Sequence, residues 1–261
     1  MADQPFAKKS LGQHWLYDRA SLVAMCDAAD VQAGDTVLEI GPGLGTLTEL
    51  LTDRAGRVVA VEFDERLARE LPGRVKADNL QVISQDIMRF DFGSLPAGYK
   101  LVANIPYYLT SHLIRTLSET VNPPSTAALL VQKEVAERVA AEPGSMSILS
   151  ATTQFYWQVS LGRVVPAELF TPPPKVNSQI LVLIRRPGPL FEDVEPKDFF
   201  RIVKAGFAQP RKTLLNNLSA GLQYSRDEAQ AVCDRASIDS KRRAQTLSLD
   251  EWHCLYRSLH T

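Results

Sequence analysis

The sequence of 261 residues has few of the features that indicate a membrane, secreted or metal-binding protein. It contains only three cysteines, Cys26, Cys233 and Cys254, which lie far apart and form no C-x-x-C pair. No apolar run approaches the roughly 20 residues that cross a bilayer, and the N-terminus lacks the apolar core of a signal peptide. We therefore expect a cytoplasmic protein with buried or idle thiols, no metal and no membrane contact.

An excess of charge of either sign is also absent, since the formal net charge is −1. The contents of 45% hydrophobic and 23% charged residues are those of an ordinary globular protein. The charge is unevenly distributed, because residues 199–226 contain five basic side chains and no acidic one. This stretch could bind an anionic partner, or it could be a solvated helical face.

A glycine-rich segment, Thr36-Val-Leu-Glu-Ile-Gly-Pro-Gly-Leu-Gly-Thr46, stands out from this background. Its first five residues predict a strand, and the leucines that follow predict a helix. Glycines at 41, 43 and 45 let the backbone turn sharply and approach a ligand closely, because they carry no Cβ. Their spacing fits neither a phosphate loop, which ends in Gly-Lys-Ser/Thr, nor the G-x-G-x-x-G dinucleotide fingerprint.

Two carboxylates follow at the ends of the next predicted strands. The strand from Arg57 to Val61 ends at Glu62, where nucleotide-binding βαβ units place a ribose-binding acid. A third strand, Leu80 to Ser84, leads to Asp86, which could accept a hydrogen bond from an adenine amino group or cap a helix. The glycine loop and Glu62 together resemble the S-adenosylmethionine site of Rossmann-like methyltransferases. The loop alone would also suit a dehydrogenase or a structural turn.

The fourth predicted strand ends in Asn104-Ile-Pro-Tyr-Tyr108, which favours one chemistry. The side-chain carbonyl of Asn104 and the backbone carbonyl before Pro106 can accept hydrogen bonds from an exocyclic amine, which favours its nucleophilic form. Tyr107 offers a face on which a base can stack. Phe170, ahead of a proline run, could form a second wall for a flipped base or simply fill the core. These residues predict methylation of an amino group on a base.

Elsewhere the pattern predicts a helix from Asp64 to Leu71 that ends at Pro72, and long strands from about Thr152 to Arg163 and Val176 to Ile184. Beyond a linker, it predicts helices only, including one from Pro210 to Leu218. We expect residues 1–186 to form the methyltransferase domain and residues 187–261 a helical RNA-binding domain. The basic side chains expected to contact phosphates are Arg211, Lys212, Arg242 and Arg243.

The chain closely resembles the ribosomal RNA adenine N6,N6-dimethyltransferase family over nearly its whole length. The shared segments are Lys9-Ser-Leu-Gly-Gln-His-Trp-Leu16, the glycine loop, Glu62, Asp86, Asn104-Ile-Pro-Tyr107, Phe170-Thr-Pro-Pro-Pro-Lys-Val176 and Pro210-Arg-Lys-Thr-Leu-Leu-Asn-Asn217. The resemblance implies an α/β fold of the Rossmann-like class I methyltransferase type. Its seven-stranded, mostly parallel sheet should have an antiparallel last strand and be followed by a small all-helical domain.

The resemblance also implies a reaction and its partners. The family dimethylates N6 of two adjacent adenosines near the 3' end of small-subunit (16S) rRNA, using S-adenosylmethionine, late in small-subunit biogenesis. We expect this chain to act as a monomer on the rRNA or on the pre-assembled small subunit. Segment 144–149 departs from the family because it is shorter and lacks the usual Tyr-Gly-Arg, and Trp15 replaces the more usual phenylalanine.

The resemblance also assigns roles to individual residues. The expected cofactor-binding residues are His14 and Leu16 at the methionine part, Gly41 and Gly43 in the loop, Glu62 at the ribose, Asp86 at the adenine, and Asn104 between the cofactor and the target amine. The expected catalytic residues are Asn104, Pro106, Tyr107 and Phe170. The leader from Phe6 to Leu16 is expected to fold over the ligand, although a surface turn would also explain it.

Three other functions compete with this one. A related antibiotic-resistance methyltransferase acts on large-subunit rRNA, but the helical tail argues against it. DNA adenine methylation would need a duplex DNA substrate. An assembly or transcription factor could keep the fold without the chemistry, yet such a protein has no need of the motif from Asn104 to Tyr107.

Overall fold

The computed structural model describes residues 13–260 and divides the chain into two compact units. The first comprises the residues up to 136 together with residues 159–185. The second comprises residues 137–158 and the chain from 186 onward. Each unit is therefore built from two segments of the chain: the chain passes from the first unit to the second, returns to the first, and then passes to the second again.

The strands and helices alternate through the first half of the chain. The strands are β1 (Trp15–Leu16), β2 (Thr36–Ile40), β3 (Arg57–Glu62), β4 (Leu80–Ser84), β5 (Lys100–Asn104), β6 (Thr126–Gln132), β7 (Trp157–Val165), β8 (Phe170–Thr171) and β9 (Ser178–Arg185). The helices are α1 (Arg19–Ala28), α2 (Thr46–Arg54), α3 (Glu65–Arg74), α4 (Thr110–Glu119), α5 (Lys133–Val139), α6 (Ile148–Tyr156), α7 (Pro196–Gly206), α8 (Leu214–Leu222), α9 (Arg226–Arg235) and α10 (Leu249–Leu259). Short 3-10 turns occur at several strand ends.

A seven-stranded sheet with the order β4-β3-β2-β5-β6-β9-β7 forms the centre of the first unit. The pairs β2–β3, β2–β5, β3–β4 and β5–β6 are parallel, whereas β9 runs antiparallel to β6. The expected sheet, mostly parallel with an antiparallel last strand, is confirmed. A separate antiparallel pair joins β1 to β8.

The central strands consist of apolar residues because both faces of the sheet are covered. Residues 127–131 of β6 are all 0% exposed. On one face, side chains of α1 and α2 pack with those of β2, β3, β5 and β6 in a single core cluster. Buried parallel strands of this kind cannot slip by one residue without exposing apolar side chains, so the strand ends are fixed in space.

The helix α3 does not end at Pro72 as predicted. It continues to Arg74, with Pro72 inside its last turns. A proline there removes only one backbone donor, and the next turn still closes because the Val75 N–H donates to Leu71 O at 2.8 Å. Leu71 is fully buried and packs with Ala60 and Val75, and this packing stabilises the turn.

The strand predicted from Thr152 is also wrong over its first part. Residues up to Tyr156 belong to α6, and β7 starts only at Trp157. A capping box between Ser147 and Ser150 starts the helix. Its buried residues Ala151 and Phe155 pack into the core of the second unit, so tertiary packing overrides the strand preference of the threonines.

The second unit is helical and has its own core, in which Phe155, Phe199 and Trp252 are fully buried. Its helix α8 begins at Leu214, four residues later than predicted, because Thr213 caps it. The buried Asn217 side chain donates to Gly206 O at 2.6 Å and to Gln209 O at 3.0 Å, which fixes the turn before α8. No helix within residues 13–260 is long and apolar enough to span a membrane.

Candidate active site

A cavity of about 280 Å³ lies at the carboxyl ends of the central strands in the first unit. Its wall contains residues 13–16, 39–44, 61–63, 85–88 and 104–109, together with Leu22, Thr46 and Leu47. The parallel strands β3 and β5 lie on opposite sides of β2, so the strand order reverses at β2. Open α/β sheets bind ligands in the crevice at the carboxyl ends of the strands where this reversal occurs. The structure therefore brings the glycine loop, Glu62, Asp86 and the Asn104 motif into one site.

The glycine loop is hydrogen-bonded to Glu62. The Gly43 N–H donates to Glu62 Oε2 at 3.0 Å, and the Asp64 N–H donates to Oε1 at 2.9 Å. Burial raises the pKa of the Glu62 carboxyl, while these two donors oppose that shift. Each carboxylate oxygen can accept further bonds, so Glu62 remains able to bind ligand hydroxyls.

Two glycines of the loop need their backbone freedom for different reasons. Gly41 and Gly43 have φ values of +67° and +58°, which favour glycine. A Cβ on Gly43 would clash with the ring of Trp15. A Cβ on Gly41 would meet no atom of the described protein within 4 Å, so this glycine borders open space in the cavity wall.

Glu39, to which no role was assigned from the sequence, also lines the cavity. It is 1% exposed, and its Oε2 atom has no hydrogen-bond partner in the described part of the chain. Burial raises the pKa of this carboxyl to about 8, the nearby Thr48 hydroxyl opposes this shift, and the charge of Glu62 adds to it. An ionisable residue inside an otherwise apolar strand was the signal, because such groups are rarely buried without a partner.

Asp86 lies in the cavity wall, as expected for a ligand contact. Its Oδ1 atom accepts a hydrogen bond from the Met88 N–H at 2.9 Å and so caps a 3-10 turn. The capping role considered for this residue is therefore present. A carboxylate has acceptor sites beyond this one bond, and a contact with adenine stays a prediction.

The described end of the leader forms another wall. Gln13, His14, Trp15 and Leu16 line the cavity, while residues 1–12, including Lys9 to Gly12, lie outside the described part of the chain. The pairing of β1 with β8 holds this segment, with Leu16 opposite Phe170. His14 Nδ1 donates to Pro172 O at 2.7 Å, and Thr46 Oγ1 donates to Leu16 O at 3.0 Å.

Asn104 and Tyr107 are both oriented by neighbouring groups. Asn104 Nδ2 donates to His14 O at 3.3 Å, which directs its Oδ1 atom away from that contact. The Tyr107 hydroxyl and Ser178 Oγ lie 2.8 Å apart, and the Tyr107 ring is stacked with the His14 ring at 5.9 Å between centroids. Pro106 lies between them in the cavity wall. The motif thus presents an amide carbonyl and an anchored aromatic ring to the same space.

Phe170 does not form the expected second wall. It is 3% exposed, is not among the cavity-lining residues, and belongs to the core cluster that contains Leu16. The β1–β8 pairing places both side chains in that core. A ring enclosed in this way offers no face to a base, so the alternative of a core residue describes Phe170 in this structure.

Two exposed aromatic side chains at the cavity were not assigned roles from the sequence. Phe63, between Glu62 and Asp64, is 60% exposed, and Tyr108 is 70% exposed. Both line the cavity. A large ring directly after a strand-end acid, or directly after the Asn104 motif, could have drawn attention to them.

The basic residues of the second unit differ in their surroundings. Arg211, Lys212 and Arg243 are exposed, and no ion pair is recorded for them among residues 13–260. Arg242 instead forms a salt bridge with Glu251, and its Nη2 atom donates to Thr246 O at 2.6 Å. These two partners engage the guanidinium of Arg242 within the unit, so it is less available for phosphates than the exposed basic side chains. Glu251 is itself fixed, because it also closes the capping box of α10.

Sequence comparisons place the chain among rRNA methyltransferases. A protein named ribosomal RNA small subunit methyltransferase A from Dehalococcoides mccartyi is 43% identical over 253 residues, covering 95% of this chain and 87% of the relative. The protein of the same name from Bacillus cytotoxicus is 38% identical over 268 residues, covering 97% and 91%.

Solved structures with the same fold include a dimethyladenosine transferase and a 23S rRNA methyltransferase. A dimethyladenosine transferase from Plasmodium falciparum has a TM-score of 0.78 and 26% identity, covering 93% of this chain and 96% of the other. The 23S rRNA methyltransferase ErmE has a TM-score of 0.77 and 28% identity, covering 95% and 100%. The methyltransferase fold expected from the motifs is thereby confirmed.

The family model described as ribosomal RNA adenine dimethylase matches residues 6–261, nearly the whole chain. This match includes every segment that lines the cavity and also the helical tail. The chain belongs to the ribosomal RNA adenine dimethylase family.

Proposed function

We propose that this chain dimethylates N6 of two adjacent adenosines near the 3' end of small-subunit rRNA, late in small-subunit biogenesis. Adenine dimethylation of rRNA with S-adenosylmethionine follows from the family. The observation that carries the assignment of the site is the orientation of Asn104, whose amide nitrogen is bound to His14 O while its oxygen is left for a substrate amine.

The cavity suits S-adenosylmethionine at several points. The unpartnered Oε2 atom of Glu39 can accept a hydrogen bond from an ammonium group, which would remove the cost of a buried unpaired acceptor. Glu62 retains acceptor sites for the ribose hydroxyls, and the open space beside Gly41 leaves room for the ligand backbone. The exposed ring of Phe63 offers an apolar face to the adenine.

When bound, S-adenosylmethionine supplies an electrophilic methyl group on its sulfonium. The protein's task is to orient the amine. In the first transfer, the Oδ1 atom of Asn104 and the backbone oxygen of Ile105 accept the two N6 hydrogens, which directs the nitrogen lone pair out of the purine ring system. In the second transfer, one of these oxygens accepts the single remaining N6 hydrogen. Such positioning lowers the barrier because the geometry is fixed before reaction. After each transfer the positively charged nitrogen is acidic and loses its proton to water, so the site needs no strong base.

Tyr107 positions the target base from the side. Its hydroxyl is held by Ser178 and one face is covered by His14, so the ring is fixed and its remaining face can stack on the adenine. An adenosine inside a helix cannot reach this space, and the target must be unstacked or single-stranded when it binds.

The choice of ribosomal subunit rests on the sequence, because the fold suits both. ErmE, which the comparison names as a 23S rRNA methyltransferase, matches with a TM-score of 0.77, close to the 0.78 of the dimethyladenosine transferase. Identity is higher with the small-subunit enzymes, at 43% and 38%, than with ErmE, at 28%. Small-subunit rRNA is therefore the first candidate and large-subunit rRNA the second.

The second unit supplies the RNA contacts in this proposal. Arg211 and Lys212 lie on the turn fixed by Asn217 and are exposed, as is Arg243. Phosphate contacts from such side chains would hold the substrate without reading its sequence. We place the reaction in the cytoplasm, where its rRNA substrate would be met, and propose that a monomer performs it.

The decisive experiment measures transfer of labelled methyl groups from S-adenosylmethionine to small subunits from cells that lack this methylation, followed by nucleoside analysis. Dimethyladenosine in small-subunit rRNA is the expected product. Large-subunit RNA and duplex DNA are tested in parallel. Labelling of large-subunit RNA alone would favour the second candidate, and cofactor binding without transfer to any RNA would favour an assembly factor.

A further inference from the structure

Two consecutive tyrosines in the cavity wall have opposite surroundings. Tyr107 is partly buried and bonded to Ser178, whereas Tyr108 is 70% exposed. Residues Tyr107–Leu109 form a 3-10 turn, in which successive side chains point about 120° apart. One ring therefore faces the interior of the cavity, while the next one stands at its mouth. Nothing in the methyl-transfer geometry described above uses the second ring.

Exposed aromatic rings are concentrated at this mouth. Within residues 13–260, the aromatic side chains among the exposed large apolar residues are Tyr17, Phe63 and Tyr108, and the last two line the cavity. Exposed apolar groups gathered around an opening indicate a binding surface. Phe63 follows Glu62, on the side of the glycine loop, whereas Tyr108 follows the motif that holds the target amine. Tyr108 is therefore placed on the substrate side.

The substrate itself supplies a partner for this ring. When an adenosine of an RNA strand enters the cavity, its two neighbours remain outside and at least one loses its stacking partner. Unstacked bases in RNA–protein complexes stack on aromatic side chains, because every base has a π face. We propose that Tyr108 stacks on a nucleotide that flanks the pair of target adenosines and thereby makes the rate of methylation depend on the presence of a base at that position. This inference rests on the proposed function of the site.

A double-mutant cycle between enzyme and RNA tests this contact. The enzymes are wild type and Tyr108→Ala, and the substrates are unmethylated small subunits, either unaltered or with an abasic residue in place of the nucleotide immediately 5' or immediately 3' of the two target adenosines. We expect Tyr108→Ala to lower kcat/KM on unaltered subunits by about five-fold to a hundred-fold, the range of one lost stacking contact. On subunits with an abasic residue at the contacted position, the same substitution should cost only a small part of this, because no base is left to stack on the ring.

Conservative variants separate stacking from other roles of the residue. Tyr108→Phe keeps the ring and should retain nearly full kcat/KM, whereas Tyr108→Leu keeps an apolar side chain without the ring and should behave more like alanine. The matched control is Tyr17→Ala, which removes an exposed ring that does not line the cavity. S-adenosylmethionine affinity, measured by calorimetry, should be unchanged in all four variants.

The possible results separate the inference from the proposed function. If wild-type enzyme yields no dimethyladenosine on unaltered subunits, the proposed function fails. If wild type is active but Tyr108→Ala loses equal activity on every substrate, or none at all, the stacking contact is refuted. A parallel loss of cofactor affinity in Tyr108→Ala and Tyr108→Leu would also refute it, because the ring would then be a wall of the cofactor site.

Discussion

The Gly43 N–H donates a 3.0 Å hydrogen bond to Glu62 Oε2, and this bond ties the glycine loop to the end of the neighbouring strand. Because Asp64 donates to the other oxygen, both carboxylate oxygens of Glu62 are oriented by backbone groups. The acid that is proposed to bind the ribose is thus held in place by the glycine loop, which lines the same cavity. Such preorganisation reduces the ordering cost of binding.

Gly41→Ala should lower S-adenosylmethionine affinity at least ten-fold with only a modest loss of stability. The added Cβ meets nothing in the described protein, so it occupies the space assigned to the cofactor. The positive φ of +67° adds strain of about 1 kcal/mol. Calorimetric titration and urea unfolding would measure the two effects separately.

Gly98→Ala is the matched control for this substitution. Gly98 has a φ of +79° and also has nothing within 4 Å of its Cβ position, but it does not line the cavity. Its variant should lose similar stability and keep wild-type affinity. Equal affinities for the Gly41 and Gly98 variants would show that the cofactor does not approach Gly41.

Asn104→Ala should lower the rate of methyl transfer by about 100-fold or more, because it removes a preorganised acceptor for the target amine. Affinity for small subunits should stay within a few-fold of wild type, since the RNA contacts are assigned elsewhere. Single-turnover kinetics and subunit binding measure these quantities. A large loss of subunit binding would contradict the role given to this side chain.

Replacement of both Arg211 and Lys212 by alanine should weaken RNA binding and flatten its salt dependence. Two exposed cations that bind phosphates contribute about one to two units to the slope of log K against log salt. Titration of fluorescent rRNA at several salt concentrations measures this slope. An unchanged slope would remove the pair from the interface.

Arg242→Ala provides the contrast for that experiment, because Arg242 is bonded to Glu251 and Thr246. Its loss should reduce the free energy of unfolding by about 1 to 2 kcal/mol, since it breaks a partly buried network. The salt slope should remain that of the wild type. A reduced slope with unchanged stability would return Arg242 to the RNA-binding surface.

The stability of the free protein should fall as the pH rises, because of Glu39. Its pKa is about 8 in the folded protein and near 4.5 when unfolded. Between these values the folded state keeps a proton that the unfolded state has lost, so stability declines with pH by up to about 1.4 kcal/mol per unit. Glu39→Gln cannot ionise and should lack this decline. Urea unfolding of both proteins from pH 5 to 8 would show the difference growing with pH, and parallel curves would contradict it.

Several elements could be predicted because local sequence and tertiary structure agree there. The strand from Thr36 to Ile40 and the position of Glu62 at the end of β3 could be predicted from apolar runs and glycine spacing. The end of this strand and Glu62 both line the cavity. The α3 end at Arg74 and the helical residues 152–156 were missed, because buried Leu71 and Phe155 are held by contacts that are distant in sequence.

The sequence by itself determined the chemistry that the site can perform. Residue types at fixed offsets from strand ends place Glu62, Asp86 and Asn104 at one edge of a parallel sheet, and the motif after Asn104 indicates a base amine as the substrate. The family and its fold follow from the same segments, because they depend on spacing along the chain.

Only the tertiary structure decided which side chains remain available. It enclosed Phe170 in the core beside Leu16, engaged Arg242 with Glu251, left the Glu39 carboxyl buried in the cavity wall, and turned Tyr108 outward. Burial and pairing arise from contacts between segments that are remote in sequence, so a local pattern identifies the type of a side chain but not its surroundings.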